Sequence, residues 1–175
     1  ILRFRIISAL NKLHDIRRNL TVDKQLIETV MIAEVMGHYR SYQVLGSVDG
    51  ETSNALRESM KEEVERIFRL LKLLSPGHDL ESAYLGLQSK NSVMHANALE
   101  FLDATLKPQL RNLVVPLIDS DVSERERALL ADKLLGVKVT NQEEAVAVLM
   151  NTEDPWLKSC AELWLGSGVA EIPKP

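Results

Sequence analysis

"NSVMHANALEFL" (residues 91–102) and "DPWLKSCAELWL" (residues 154–165) carry one pattern. Laid over each other, they pair Val93 with Trp156, Met94 with Leu157, Ala98 with Ala161, Phe101 with Trp164 and Leu102 with Leu165. Between them "LLADKLL" (129–135) repeats the pattern more weakly, with Ala131, Leu134 and Leu135 in the places of Ala98, Phe101 and Leu102. A spacing of about 30 to 33 residues, each repeat a pair of short helices, is the signature of a helical solenoid, in which stacked pairs bury the faces that one pair leaves bare. On this reading Trp156 and Trp164 fill the core of the last repeat. Cys160, flanked by Leu157 and Ala161, is then an inert small hydrophobe.

Helical periodicity runs outward from these segments in both directions. Leu56, Met60, Val64, Ile67, Leu71 and Leu74 follow at three- and four-residue steps, which stacks them on one face. The same stepping joins Ile27, Met31, Val35, Tyr42 and Leu45, and joins Leu2, Ile6, Leu10 and Leu13. Only "GVKVT" (136–140) alternates with a strand period, and it is too short to pair alone.

Helix starts are marked by capping-box spacing at Ser123/Glu126 and Thr140/Glu143, by Asp154 before Pro155, and by Pro76 and Pro108. The spacing predicts helices over 1–18, 24–47, 53–74, 76–89, 92–106, 108–119, 123–136, 142–151 and 154–166. Pro116, inside one of them, is a physical route to a bend. The expected fold is all-α, a right-handed α-α superhelix of HEAT or armadillo type in one domain, 1–175. Within it 1–74 holds longer, less regular helices, 76–166 short helix-pair repeats and 167–175 a tail.

The chain has 175 residues, 45% hydrophobic and 26% charged, which is enough for a substantial core. Its one cysteine excludes an intramolecular disulfide and a cysteine zinc cluster. The longest apolar run, "LVVPLI" (113–118), is far short of the about 20 residues needed to span a bilayer. The formal net charge of -4 is the wrong sign for neutralising many phosphates, so nucleic acid is disfavoured as a partner. Charge is unevenly spread. Arg3, Arg5, Lys12, Arg17, Arg18 and Lys24 crowd the first stretch, while Asp and Glu gather from Asp119 onward. The chain opens on Ile1 inside a helix already under way, so it is expected to be a piece of a longer protein.

The run "ERIFRLLKLLSPGHDLESAYLGLQSKNSVMHANALEFLDATLKPQLRNLVVPLID" (65–119) resembles the HEAT-repeat region of bacterial ATP/ADP-translocase-like proteins of the nucleotide transporter family. "DPWLKSCAELWLG" is similar to a HEAT second helix, and "LRFRIISALNKL" with the long segments to residue 74 resembles that region in order and length. The resemblance covers most of the chain. It implies a non-catalytic interaction or regulatory domain of a larger membrane transporter, on the cytoplasmic side of the membrane. The partner would be a protein or another domain of the same chain. Transport chemistry in that family belongs to membrane helices, so no substrate-binding residue carries over.

Other chemistry finds few carriers. Glu34 and His38, four apart on a helix, could supply half a metal site, but no second ligand pair is identifiable. No G-x-S-x-G, H-E-x-x-H, P-loop or G-x-G-x-x-G spacing occurs, so no catalytic residue and no cofactor is expected. Tyr39, Arg40 and Tyr42 could stack on a base or a partner side chain, but helical spacing accounts for Tyr42 on an apolar stripe and Arg40 in water without a ligand. The alternatives are a free-standing HEAT-like scaffold or a nucleic-acid-handling protein related to DNA glycosylases, which a basic concave groove would favour. The candidate site is a membrane-surface contact through Arg3, Arg5, Lys12, Arg17 and Arg18, since basic residues near a bilayer are held by anionic lipid.

Overall fold

The structure, a computed structural model, describes residues 2–17, 20–48, 50–152 and 155–166. Among them every regular element is a helix: α1 (Leu2–Ile16), α2 (Lys24–Leu45), α3 (Gly50–Leu74), α4 (Leu80–Gln88), α5 (Ser92–Thr105), α6 (Pro108–Ile118), α7 (Glu124–Leu135), α8 (Gln142–Met150) and α9 (Pro155–Gly166). The fold class is all-α. Arg18, Asp154, the tail 167–175 and the side chains of Trp156, Cys160 and Trp164 lie outside the described residues.

Short polar side chains set the starts of α2, α4, α5 and α8. Asp23 Oδ1 accepts from the N–H groups of Gln25 and Leu26 at 3.0 and 3.1 Å, and Asn91 Oδ1 accepts from Val93 and Met94 at 2.9 and 3.3 Å. The expected start of α4 at Pro76 is wrong by four residues. Pro76 and Gly77 form a turn, and the helix waits for Asp79, which accepts from the Ser82 hydroxyl at 2.6 Å and the Ser82 N–H at 3.0 Å. These two bonds hold the Asp79 carboxyl below the usual carboxylate range.

Before α8 the capping residues are shifted by one from the expected Thr140/Glu143 pair. Asn141 is the N-cap and accepts from the Glu144 N–H at 2.9 Å, while the Glu144 carboxylate accepts from the Thr140 N–H and hydroxyl at 2.8 and 3.0 Å. Asparagine is the stronger cap of the two adjacent candidates, which fixes the choice. Helix α3 begins three residues before its expected start, at Gly50, whose φ of 52° glycine adopts without strain. Gly136 (φ 69°) ends α7, its N–H donating to the Asp132 carbonyl at 3.1 Å.

The chain divides into two compact units, residues 1–37 with 63–123 and residues 38–62 with 124–175. The first unit draws its core from Ile27, Met31 and Val35 of α2, Ile67, Phe68, Leu70, Leu71 and Leu73 of α3, and the inward sides of α4 to α6. The Phe68 and Tyr84 rings lie 5.0 Å apart, tilted, and join α3 to α4. A short connection folds α5 back against α4, and α6 packs on α5 in turn.

Among the glycines of this unit the tightest position is Gly86, where an added Cβ would stand 3.0 Å from Ala98 Cβ and 3.2 Å from the Met94 carbonyl oxygen. Both are fixed parts of α5, so Gly86→Ala is expected to be net destabilising by about 1 kcal/mol despite its better helix propensity. At Gly37 of α2 nothing lies within 4 Å of the added Cβ, and the same substitution should stabilise by roughly 0.5–1 kcal/mol. Urea unfolding of both variants checks the opposite signs.

The second unit has a core of Tyr39, Tyr42, Val44 and Leu45 of α2, Leu56 and Met60 of α3, Ala131 of α7, Ala145, Val146 and Leu149 of α8, and Leu157 and Ala161 of α9, with α9 packed on α8. Gln43 Nε2 donates to Asp132 Oδ1 and to the Val137 carbonyl, both at 2.7 Å. That carbonyl belongs to "GVKVT", which is not a strand and is held here by a side chain.

Burial supports part of the sequence overlay. Ala98, Ala131 and Ala161 are all buried, in α5, α7 and α9 respectively. Elsewhere the equivalence fails: Met94 is exposed where Leu157 is buried, Leu102 is buried where Leu165 is exposed, and Leu134 is exposed. The apolar stripe read on α1 stands mostly in solvent. Ile7 and Asn11 are the buried residues of that helix, and Leu2, Ile6 and Leu13 face solvent.

Candidate surface site on the first helix

Asn11 explains why α1 turns this way. Its side-chain N–H groups donate to the Ile7 carbonyl at 2.9 Å and to the Arg69 carbonyl of α3 at 3.0 Å, so the amide ties the two helices together. Around it, the Arg69 guanidinium lies 5.1 Å over the Phe4 ring, and Lys72 donates to Asp15 at 3.0 Å and to Glu81 at 3.3 Å. Burial pulls the Lys72 ammonium down, but the bonds to Asp15 and Glu81 outweigh it and raise its pKa overall. Asp15, the only acidic residue of α1, is therefore engaged by α3.

Opposite Ile7 and Asn11, the helix is apolar a second time. At about 100° per residue, Leu2, Ile6, Ala9, Leu13 and Ile16 fall within an arc of about 80°. They stand in solvent, Leu2 at 72%, Ile6 at 52%, Leu13 at 49% and Ile16 at 78% exposure. Arg5 and Lys12 lie along one edge of this stripe and Arg3 and Arg17 beyond the other. The Arg17 N–H still donates to the Leu13 carbonyl at 2.8 Å, so Arg17 continues the last turn.

Of the basic residues expected to form a surface contact, Arg5, Lys12 and Arg17 are exposed and share one surface with the stripe. Arg3 is half-committed inward, since its guanidinium reaches Glu34 Oε1 at 3.3 Å. Periodicity placed Leu2, Ile6, Leu10 and Leu13 on one helix face but did not count them as part of the site. The signal was available: two apolar sides on one helix, the wider one bordered by arginine and lysine.

Glu34 is buried and holds two cations. Arg66 Nε donates to its Oε2 at 2.8 Å, and Arg3 to its Oε1. Among the described residues no group of three or more metal-ligating side chains exists, and Glu34 is spent on arginines.

In the second unit the tyrosines are not a platform. Tyr39 and Tyr42 are buried and Arg40 is exposed. A residue that sequence reading passed over, Arg127 of α7, lies 5.3 Å over the Tyr42 ring and donates to its hydroxyl at 3.1 Å, while His38 meets the same ring edge-on at 5.2 Å.

Burial pushes the Tyr39 hydroxyl up to about 12, against the pull of Arg127 and with a small addition from Tyr42. The folded protein thus keeps this proton above the pH at which the unfolded chain releases it. The corresponding stability is complete below about pH 10 and is lost as pH rises toward about 12, a change of up to about 2–3 kcal/mol. Urea unfolding across this window should show a smaller alkaline loss in Tyr39→Phe than in the parent protein; equal losses would mean that this hydroxyl titrates as in open water.

No described helix is long and apolar enough to cross a membrane. Comparison with protein-family models, with curated proteins and with solved structures returns no match for this chain, which leaves the surface of α1 and the packing of the helix pairs to carry the functional argument.

Proposed function

We propose that the chain is a non-catalytic, HEAT-like helical-repeat domain of a larger ATP/ADP-translocase-like membrane protein, a right-handed α-α superhelix that contacts a partner protein or another domain of the same chain from the cytoplasmic side. The observation that carries this reading is the shared burial of Ala98, Ala131 and Ala161. A small residue at one recurring place lets successive helices approach closely, as repeat stacking demands. The close approach at Gly86 against Ala98 supports it, and so does the resemblance of residues 65–119 to such a region.

The test begins with the complete reading frame. Apolar stretches of about 20 residues upstream of Ile1 are expected, and their absence would overturn the transporter reading. In the full-length protein, deletion of residues 1–175 should change nucleotide uptake in rate or regulation while leaving its selectivity among nucleotides intact. Altered selectivity would place this domain in the transport site and overturn its regulatory role.

A further inference from the structure

We infer that the outer face of α1 is an interfacial membrane anchor, with Leu2, Ile6, Leu13 and Ile16 seated among the headgroups of an anionic bilayer and Arg5, Lys12 and Arg17 on its phosphates. This names a contact surface and needs nothing from the transporter reading, since an amphipathic helix binds lipid whether or not membrane helices are attached.

Three observations select lipid as the occupant. The first is the ordering of the face itself. The apolar arc lies opposite the buried side of the helix, is exposed along its whole length, and is bordered by cations that point outward. An interfacial helix needs this arrangement, because its apolar strip sinks to the acyl boundary while long basic side chains reach up to the phosphates.

The second is charge. Asp15, the one carboxylate on α1, is drawn to Lys72, and the arc contains no acidic residue. The protein's overall charge of -4 does not cancel this, since screening over about 8 Å at physiological salt limits the bilayer's reach to the side chains that touch it.

The third is size. A helix of 15 residues is about 22 Å long, and a strip roughly 10 Å wide offers on the order of 200 Å². A stable protein interface buries about 800 Å² on each partner, so a second copy docked on this face alone would be too small to hold. A bilayer has no such threshold, because apolar insertion and each basic contact add to the binding separately.

The experiment is sedimentation of the 175-residue chain with vesicles of phosphatidylcholine alone and with vesicles containing one third phosphatidylglycerol, at low and high salt. Binding is expected to the anionic vesicles and to weaken steeply with salt. The variant Arg5→Gln/Lys12→Gln/Arg17→Gln should lose affinity on the order of 100-fold. The variant Ile6→Asn/Leu13→Asn should also lose binding while its circular dichroism and thermal midpoint stay those of the parent, because both side chains already stand in water.

Binding that survives the asparagine variant would make the attraction purely coulombic and overturn insertion. Absence of binding to anionic vesicles at low salt would overturn the inference outright. Concentration-dependent self-association abolished by the asparagine variant, with no vesicle binding, would assign the face to a second copy instead. None of these results touches the transporter reading, which rests on the upstream sequence and on uptake.

Discussion

Glu34→Ala is expected to be among the most damaging single substitutions in this protein, costing about 3–5 kcal/mol. The reason is what it leaves behind. Arg66, largely buried, donates to Glu34 at 2.8 Å, and without the carboxylate its guanidinium stays out of water with its charge uncompensated. Arg3 tells against a simple count of bridges. Its side chain is 57% exposed, so Arg3→Gln should cost no more than about 1 kcal/mol although it removes a bond to the same carboxylate. The expected order of destabilisation in urea, Glu34→Ala above Arg66→Ala above Arg3→Gln, follows from burial and not from distance. Equal effects for Glu34 and Arg3 would mean that solvent reaches the carboxylate.

Leu102→Ala is expected to cost about 3–4 kcal/mol in thermal or urea unfolding, as the loss of a fully enclosed leucine together with the cavity left by its removal. Its counterpart in the sequence overlay, Leu165, is exposed, and Leu165→Ala should change stability by less than about 0.5 kcal/mol. The pair separates two explanations of one pattern. If the two segments were packed alike, the two substitutions would cost alike. A large cost at Leu165 would extend to this position the equivalence that burial supports at Ala98 and Ala161.

Reading the sequence recovers the helices well where a local rule decides them. The starts of α2, α5, α6 and α8 fall at their expected residues, although the α8 cap is Asn141 and not Thr140, and Gly136 ends α7 within a residue of expectation. The start of α4 failed because Pro76 is compatible with both a turn and a first helical residue, and only the Asp79 cap decides between them. Which side of α1 faces inward was not legible either. Periodicity finds an apolar row, but α1 has apolar residues on both sides, and Asn11 settles the orientation through a carbonyl that lies 58 residues away. The same limit hid the Glu34 cluster, whose Arg66 partner is 32 residues distant, and Arg127, which meets Tyr42 across 85. Of the candidate site, the basic residues could be read from composition. The apolar row between them could be read from periodicity, but its exposure could not, because exposure is a property of the packed protein.

The fastening of α1 also sets when it can form. Its ties to Glu34, Arg69 and Lys72 span 31, 58 and 57 residues. The α4, α5 and α6 contacts need only the short turns between neighbours. Loop closure is costly before a distant contact returns anything, so the compact hairpins are expected to assemble early and α1 to settle only once α3 is in place. It buries only Ile7 and Asn11, so it also has little to lose on release. Helix α1 is therefore expected to settle late, after α3, and to come away early.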